Sequence, residues 1–237
     1  MKIGVLLLGA AACGHALADP GPAPAAAPTP RIGADAVEVI PIRERERWFR
    51  DDWTLRAIGG WATEKTLGEI TSGSVRREKD RPGLVEISLG RPIVDEFRDW
   101  PLHFGWRMGL TRYFERDAQP DFFGHTLYLK AYWTGFPWSR WLRTRAGFGE
   151  GVSYTWHIPS EERDEARRHD RNTSRLLNYL DVSLEVNAGD FLQDERLAGC
   201  WLGWVISHRS GAFGLVDVFG SVNGGSNYNT ASIECDF

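Results

Sequence analysis

His208 and Ser210 are the residues of this sequence best placed to do chemistry. They stand in the stretch VISHRSGAFG (205–214), where a histidine precedes a serine by two positions at the end of an apolar run. Side chains two positions apart on a strand share a face, which places these two roughly 6–7 Å apart at Cβ. A serine hydroxyl becomes a useful nucleophile when a neighbouring imidazole can accept its proton. The alternative is a polar pair without a catalytic role that marks the end of a strand.

The strand that must position this pair is one of several with alternating apolar and polar residues. At the C-terminus, Ala231, Ile233, Cys235 and Phe237 alternate with Thr230, Ser232, Glu234 and Asp236. Similar patterns predict strands near 53–64, 83–91, 100–112, 123–134, 141–156, 176–188, 198–209 and 228–237. In a soluble sheet the apolar face lies in the core, whereas in an outer-membrane barrel it faces lipid and the polar face lines the lumen.

Loop lengths and aromatic positions favour the membrane barrel. The connections 65–82, 113–122, 157–175 and 210–227 are long and the others short, as between external loops and periplasmic turns. Two belts of aromatic residues are expected at the strand ends. The periplasmic belt comprises Trp53, Trp100, Trp133, Trp138, Trp141 and Trp201, and the external one Tyr113, Phe114, Phe122, Phe123, Tyr154 and Trp156. The sequence therefore predicts an all-β fold, an eight-stranded antiparallel up-and-down transmembrane β-barrel.

The narrow lumen of such a barrel is filled by side chains, so a pore is not expected. Its charges must pair, because isolated buried charges are costly. The expected lumen charges are Arg107, Arg143, Arg145, Asp181, Glu185, Glu234 and Asp236. Glu150 falls on the apolar face, and its flanking glycines suggest a bulge that turns it inward.

Two other features concern the ends of the strands. Cys200 and Cys235 stand opposite each other if the last hairpin is symmetric about residues 217–218. A periplasmic disulfide is compatible with this pairing, although two lipid-facing thiols are the favoured interpretation. The charged run from Glu161 to Asp170 is expected to be a solvated external loop, with at most a helical turn.

The composition of the chain predicts three segments, namely a signal, a linker and the barrel. Residues 1–18 have the charged start, apolar stretch and Ala16-Leu17-Ala18 cleavage site of a secretory signal. Residues 19–50 form a Pro/Ala-rich and charged periplasmic linker, and 51–237 the barrel. The net charge of −4 gives no support to nucleic-acid binding. The chain has no C-x-x-C or H-E-x-x-H motif, so neither a metal nor a cofactor is expected.

The C-terminal part of the chain resembles the PagL-type outer-membrane lipid A 3-O-deacylases. The resemblance rests on His208-Arg209-Ser210 late in the penultimate strand, the stretch Asn223-Gly224-Gly225-Ser226-Asn227-Tyr228, and a last strand that ends at Phe237. It implies hydrolysis of an ester-linked acyl chain of lipid A in lipopolysaccharide, with Ser210 as nucleophile and His208 as base. It also implies location in the outer membrane and insertion by the barrel-assembly machinery through the strand ending at Phe237.

Two positions depart from that family. Val222-Asn223 stands where the family has its orienting glutamate, which leaves Asn223 or Asp217 as the candidate orienting group. Gly211 stands where an asparagine commonly follows the serine, so a backbone N–H of Gly211 or Ala212 is the candidate oxyanion donor. Arg209 is a candidate for binding a lipid A phosphate or, equally, a lumen or interface charge.

Three functions follow as hypotheses. The first is a serine-type esterase that acts on lipid A in the outer membrane. The second is a non-catalytic small barrel with a structural or adhesion role. The third is a soluble secreted lipid-binding barrel. The sequence does not indicate which acyl position would be cut, nor the oligomeric state.

Overall fold

The structure is a closed antiparallel barrel of eight strands, in which each strand pairs with the next and the last pairs with the first. This computed structural model describes residues 53–63, 68–69, 82–168, 170, 172–211 and 225–237. The predicted signal 1–18, the linker 19–50, Asp217 and Asn223 lie outside these ranges. The predicted fold class is confirmed.

The strands lie close to their predicted positions. They are β1 (Thr54–Thr63), β2 (Gly83–Val94), β3 (Leu102–Phe114), β4 (Phe122–Trp133), β5 (Thr144–Thr155), β6 (Leu176–Asn187), β7 (Cys200–Ser210) and β8 (Gly225–Asp236). Between them lie the α-helices α1 (Ser160–Arg168) and α2 (Ala188–Leu192) and 3-10 turns at Phe97–Asp99 and Glu195–Leu197. In the part of the chain that is described, no helix is both long and apolar enough to cross a membrane.

We call the end where β1 begins and β8 ends the terminal end, and the opposite end the loop end. The loop end carries the connections 64–82, 115–121, 156–175 and 211–224. The predicted alternation of long and short connections is wrong at one place. Connection 115–121 at the loop end is shorter than 134–143 at the terminal end.

The two faces of the barrel have opposite polarity, because successive side chains of a strand point to opposite faces. The outer face is apolar and exposed, with residues such as Leu55, Ile87, Met108, Leu129, Phe148, Leu184 and Ile233. The inner face buries polar and charged side chains. This polarity is that of a barrel whose outer surface lies in lipid.

A chain of eight alternating charges, which we call the lumen network, fills the barrel from its terminal end to its middle. The order is Glu86, Arg56, Asp181, Lys130, Glu185, Arg145, Glu234 and Arg107. The shortest N–O distances are 2.5 Å in the Arg145–Glu185 pair and 2.6 Å in the Arg56–Asp181 pair. All eight side chains are at most 2% exposed. Pairing each charge with its neighbours offsets the cost of burying it.

Five of the expected lumen charges belong to this network, and two lie elsewhere. Arg143 precedes β5 and binds Asp190 at the terminal end, with 2.8 Å between its Nε and Oδ2. Asp236 is half-buried at the end of β8. The sequence did not identify Arg56, Glu86 and Lys130, because their strands alternate less regularly than the others.

The loop-end part of the lumen contains an apolar cluster beside the buried Arg209–Glu162 pair. This buried cluster comprises Ile58, Ala62, Leu84, Tyr113, Phe122, Val205 and Tyr228. The rings of Tyr113 and Phe122 stack with centroids 4.9 Å apart. Both residues were expected in the external belt, and Trp201 in the periplasmic one, but all three point inward and are buried. Trp100, Trp141, Tyr154 and Trp156 are exposed, as the belts require.

Helix α1 lies at the loop end, where a solvated loop was predicted. Its first residue donates a backbone hydrogen bond to Glu115, with 2.9 Å from the Ser160 nitrogen to Oε2. Glu162 reaches further in and is fully buried. Its Oε1 accepts hydrogen bonds from Arg209 at 2.6 Å and Ser226 at 2.8 Å. Burial raises the pKa of Glu162, while Arg209 and Ser226 favour its carboxylate form.

A disulfide joins Cys200 and Cys235 across β7 and β8. The predicted pairing of these residues is confirmed, since they are partners in the ladder. The expectation of two free thiols is wrong. Their side chains share the outer face at directly opposed positions, which brings the two Cβ atoms within the range a disulfide needs.

The lumen network predicts a large loss of stability for Asp181→Ala. The substitution leaves Arg56 and Lys130 without their shortest ion pairs, and breaking a buried pair costs about 3–5 kcal/mol. Asp164→Ala is the control, because Asp164 pairs with Arg167 at 3.8 Å on the exposed side of helix α1 and should change stability by less than about 1 kcal/mol. Urea unfolding in lipid vesicles, followed by tryptophan fluorescence, compares the two. Equal midpoints would contradict a stabilising role for the network.

The disulfide predicts that denatured protein comprising residues 19–237, which contain Cys200 and Cys235 as their cysteines, carries no maleimide-reactive thiol until it is reduced, and two thereafter. The double variant Cys200→Ser, Cys235→Ser should lose about 3–4 kcal/mol of unfolding free energy, because the bond restricts the unfolded chain between its two ends. Mass spectrometry after labelling measures the first expectation and urea unfolding the second. Labelling of the unreduced chain would show that the bond does not form.

Candidate functional site

His208 and Ser210 lie on the outer face of β7, at the loop end. The alternate residues Trp201, Val205 and Arg209 point into the lumen and are at most 3% exposed. The expected placement of the pair on the lipid-facing row after Ile206 therefore agrees with the structure. The flanking strands β6 and β8 hold β7 in register on both sides.

Asn227 on β8 orients the imidazole of His208. The two residues are ladder partners, and Nδ1 of His208 lies 2.6 Å from Oδ1 of Asn227. An amide oxygen only accepts hydrogen bonds, so Nδ1 carries the proton and donates it. Nε2 is then the unprotonated ring nitrogen, which is the form that can accept a proton from a hydroxyl group.

Asn227 was not among the residues predicted to orient the imidazole. The predicted candidates for that role, Asn223 and Asp217, lie outside the described residues. The signal was nevertheless present in the sequence. The symmetric hairpin that places Cys200 opposite Cys235 also places His208 opposite Asn227, and the ladder has this register.

Ser210 has a hydroxyl group without a hydrogen-bond partner among the described residues. Its ladder partners are Asn178 on β6 and Gly225 on β8. A Cβ atom added to Gly225 would lie 2.3 Å from the backbone oxygen of Arg209, so only glycine fits there. The β8 side of Ser210 thus has no side chain, and its β6 side has an amide. Gly211, the predicted oxyanion donor, follows directly.

Arg209 lies on the other face of the same strand. Its guanidinium is 1% exposed and binds Glu162 and the backbone oxygen of Arg175, at 2.6 and 3.1 Å. Of its two expected roles, the structure therefore supports the lumen charge and not phosphate binding on the outer wall. Glu162 also binds Ser226, the ladder partner of Arg209. One buried carboxylate thus ties β7 to β8 directly behind the outward-facing residues.

The outer wall of β5 to β8 carries a contiguous group of polar side chains, which we call the wall patch. Its members are Glu150, Asn178, His208, Ser210, Asn227 and Asn229. The outward polar residues of β2 to β4 differ, since each lies beside an aromatic ring: Arg91 by Trp53, Arg112 by Phe114 and Phe123, and His125 by Trp156. Within the described ranges, no three His, Cys, Asp or Glu side chains are grouped to hold a metal ion.

Glu150 belongs to this wall because β5 pairs with both neighbours without a bulge. It stands opposite Leu129 and Leu180 and is exposed, so the predicted inward turn is wrong. The glycines around it are required for a different structural reason. Cβ atoms at Gly147 and Gly149 would lie 2.5 Å from Lys130 and 2.8 Å from Tyr128. They make room for large lumen side chains and leave the alternation intact.

This barrel is similar to two solved structures. The crystal structure of the outer membrane enzyme PagL matches with a TM-score of 0.52 and 12% identity, over 78% of this chain and 99% of that chain. The crystal structure of Neisserial surface protein A (NspA) matches with a TM-score of 0.43 and 13% identity, over 78% and 97%. No family model and no curated protein matches the sequence. At this identity, the likeness to PagL establishes a common barrel fold.

Proposed function

We propose that this chain is an outer-membrane esterase that hydrolyses an ester-linked acyl chain of lipid A. The observation that carries the proposal is the hydrogen bond from His208 to Asn227 beside the unbonded hydroxyl of Ser210. The bond gives the imidazole the protonation state of a general base. Both side chains lie on the outer wall, which a molecule in the bilayer approaches, and the buried Ser210 hydroxyl must become exposed when that molecule binds.

The substrate class follows from that position. A group on the outer wall at the loop end meets the upper acyl region of the outer leaflet, if the long loops face the cell exterior. Lipopolysaccharide fills that leaflet of the outer membrane and carries ester-linked acyl chains. The barrel fold common with the outer membrane enzyme PagL supports the same location. Insertion would use the barrel-assembly machinery and the strand that ends at Phe237.

The proposed reaction needs no cofactor. Ser210 attacks the ester carbonyl while Nε2 of His208 accepts its proton, and the histidine returns this proton to the leaving alcohol. Water then hydrolyses the acyl-enzyme by the same route. Asn227 keeps the imidazole in the required tautomer throughout, as the third member of other triads does.

One observation favours the alternative of a non-catalytic barrel. Asn227 is an amide in the orienting role that a glutamate has in the resembling family, and an amide does not stabilise an imidazolium ion by charge. The two functions make opposite predictions for lipid A in living cells, which a direct experiment separates.

Gram-negative cells that express this chain should contain lipid A lacking one ester-linked acyl chain, because Ser210 and His208 together remove it. Cells that express Ser210→Ala or His208→Ala should keep the full set, since either change removes half of the dyad. Mass spectrometry of extracted lipid A measures the difference, and heat-modifiable gel mobility confirms that each variant forms a barrel. An unchanged lipid A profile with a well-folded wild-type barrel would exclude the esterase.

Asn227→Asp should raise turnover by about tenfold, because a charged acceptor adds about 1–2 kcal/mol of stabilisation to the imidazolium that forms in the transition state. Asn227→Leu should lower it by about 10²–10⁴, since the imidazole loses its fixed tautomer. Purified protein in micelles with lipid A as substrate gives both rates. Gln193→Glu, in the connection between β6 and β7 at the terminal end, adds a charge at the opposite end of the barrel from the wall patch and should leave turnover unchanged. Equal rates for all four proteins would exclude the orienting role.

A further inference from the structure

We infer that Asn178 donates a hydrogen bond to the oxyanion that forms when Ser210 attacks an ester. This inference rests on the proposed esterase function and adds a fourth residue to its machinery. It concerns a side chain on β6 to which the sequence gave no role.

The register of the barrel places Asn178 directly beside the nucleophile. Asn178 and Ser210 are ladder partners on β6 and β7, and both point to the outer face. Directly opposed residues in an antiparallel pair have Cβ atoms about 4.5–5.5 Å apart. The amide nitrogen of Asn178 therefore reaches the space next to the serine hydroxyl, where a bound carbonyl oxygen would lie.

Nothing in the fold explains an amide at this position. The other outward residues of β6 are Leu176, Leu180, Val182, Leu184 and Val186, all of them apolar. The Asn178 side chain makes no hydrogen bond to the residues that the structure describes, unlike Asn227 and Asn229, which bind His208 and Trp204. A polar group that faces lipid without a partner is unfavourable. A ligand that accepts its hydrogen bond would offset that cost.

Because His208 is the proposed base and Ser210 the proposed nucleophile, the role left for the Asn178 amide is that of a hydrogen-bond donor. Asn178 does not titrate near neutral pH, so it cannot act as the base, and His208 already has the required protonation state. Ser210 still needs donors for the charge that develops on the carbonyl oxygen. Gly211 contributes only a backbone N–H, because it has no side chain. The Nδ2 amide of Asn178 supplies a second donor from the opposite side of β7.

The step balances without a further reactant. A bond forms between Oγ of Ser210 and the carbonyl carbon, and the π pair of the carbonyl moves onto its oxygen as His208 takes the hydroxyl proton. The resulting oxyanion accepts hydrogen bonds from Asn178 and from the N–H of Gly211. Collapse re-forms the carbonyl and breaks the bond to the alcohol, which leaves with the proton from His208.

Asn178→Leu is the test, because leucine has a similar volume and suits the apolar row of β6. It should lower kcat by about 10²–10³ and leave KM within a few-fold, since the lost bond exists only in the transition state. Asn178→Asp should lower kcat at least as far, because a carboxylate repels the oxyanion. His125→Leu is the matched control, because it makes the same kind of polar-to-apolar change on the exposed outer face of β4, two strands away from β6. The assay uses purified barrels in micelles with lipid A as substrate, and heat-modifiable mobility verifies folding.

A second measurement separates this role from a structural one. A fluorescent alkyl phosphonate ester labels an activated serine and places a phosphoryl oxygen where the oxyanion forms. Labelling of Ser210 should slow in Asn178→Leu as much as kcat falls. Active wild-type protein with unchanged rates in Asn178→Leu would overturn the role of Asn178 and leave the esterase standing. Wild-type protein no more active than Ser210→Ala would overturn both.

Discussion

The constraint on which the structure depends is charge neutrality in a lumen too narrow to hold water around its ions. Eight strands enclose a space that side chains fill, and an unpaired charge there would cost several kcal/mol. Four cations and four carboxylates meet this constraint as one alternating chain. Seven strands contribute to it: Arg56 of β1, Glu86 of β2, Arg107 of β3, Lys130 of β4, Arg145 of β5, Asp181 and Glu185 of β6, and Glu234 of β8. A slip of one residue in any of them would turn its charge toward lipid, so the network also specifies the register.

The strand that carries the candidate site is the one that adds no charge to this network. Strand β7 instead contacts the network through Trp201, whose ring lies 4.2 Å from the guanidinium carbon of Arg145. Its own charge, Arg209, is paired with Glu162 of helix α1. Together with the disulfide at the terminal end, these contacts fix β7 at both ends. The backbone that presents His208 and Ser210 is thereby held from behind, which leaves the outer face of the strand free to carry polar groups.

The alternation of apolar and polar residues predicts features that depend on a single strand. Features that depend on how two strands pair require the register of the sheet, which alternation alone does not give. The strands, the lumen faces of β3, β6 and β8 and the outward position of His208 follow from period two and were predicted correctly. The inward turn of Glu150 was wrong because glycine has two explanations, a bulge or room for a lumen side chain, and only the neighbours Tyr128 and Lys130 distinguish them. The position of Asn178 beside Ser210 could not be predicted, since it depends on how β6 pairs with β7. The position of Asn227 opposite His208 could have been predicted, because the pairing of Cys200 with Cys235 sets the same register.

The wall patch is costly for a protein that only has to sit in lipid. Hydrocarbon offers no partner to a polar group, and a structural barrel could carry apolar residues at all six positions. His208 with Asn227, and Trp204 with Asn229, satisfy each other. Glu150, Asn178 and Ser210 bind none of the residues that the structure describes. Under the proposed esterase function, Asn178 and Ser210 find their partner in the ester group of a bound lipid, at the depth of the last residues of β7.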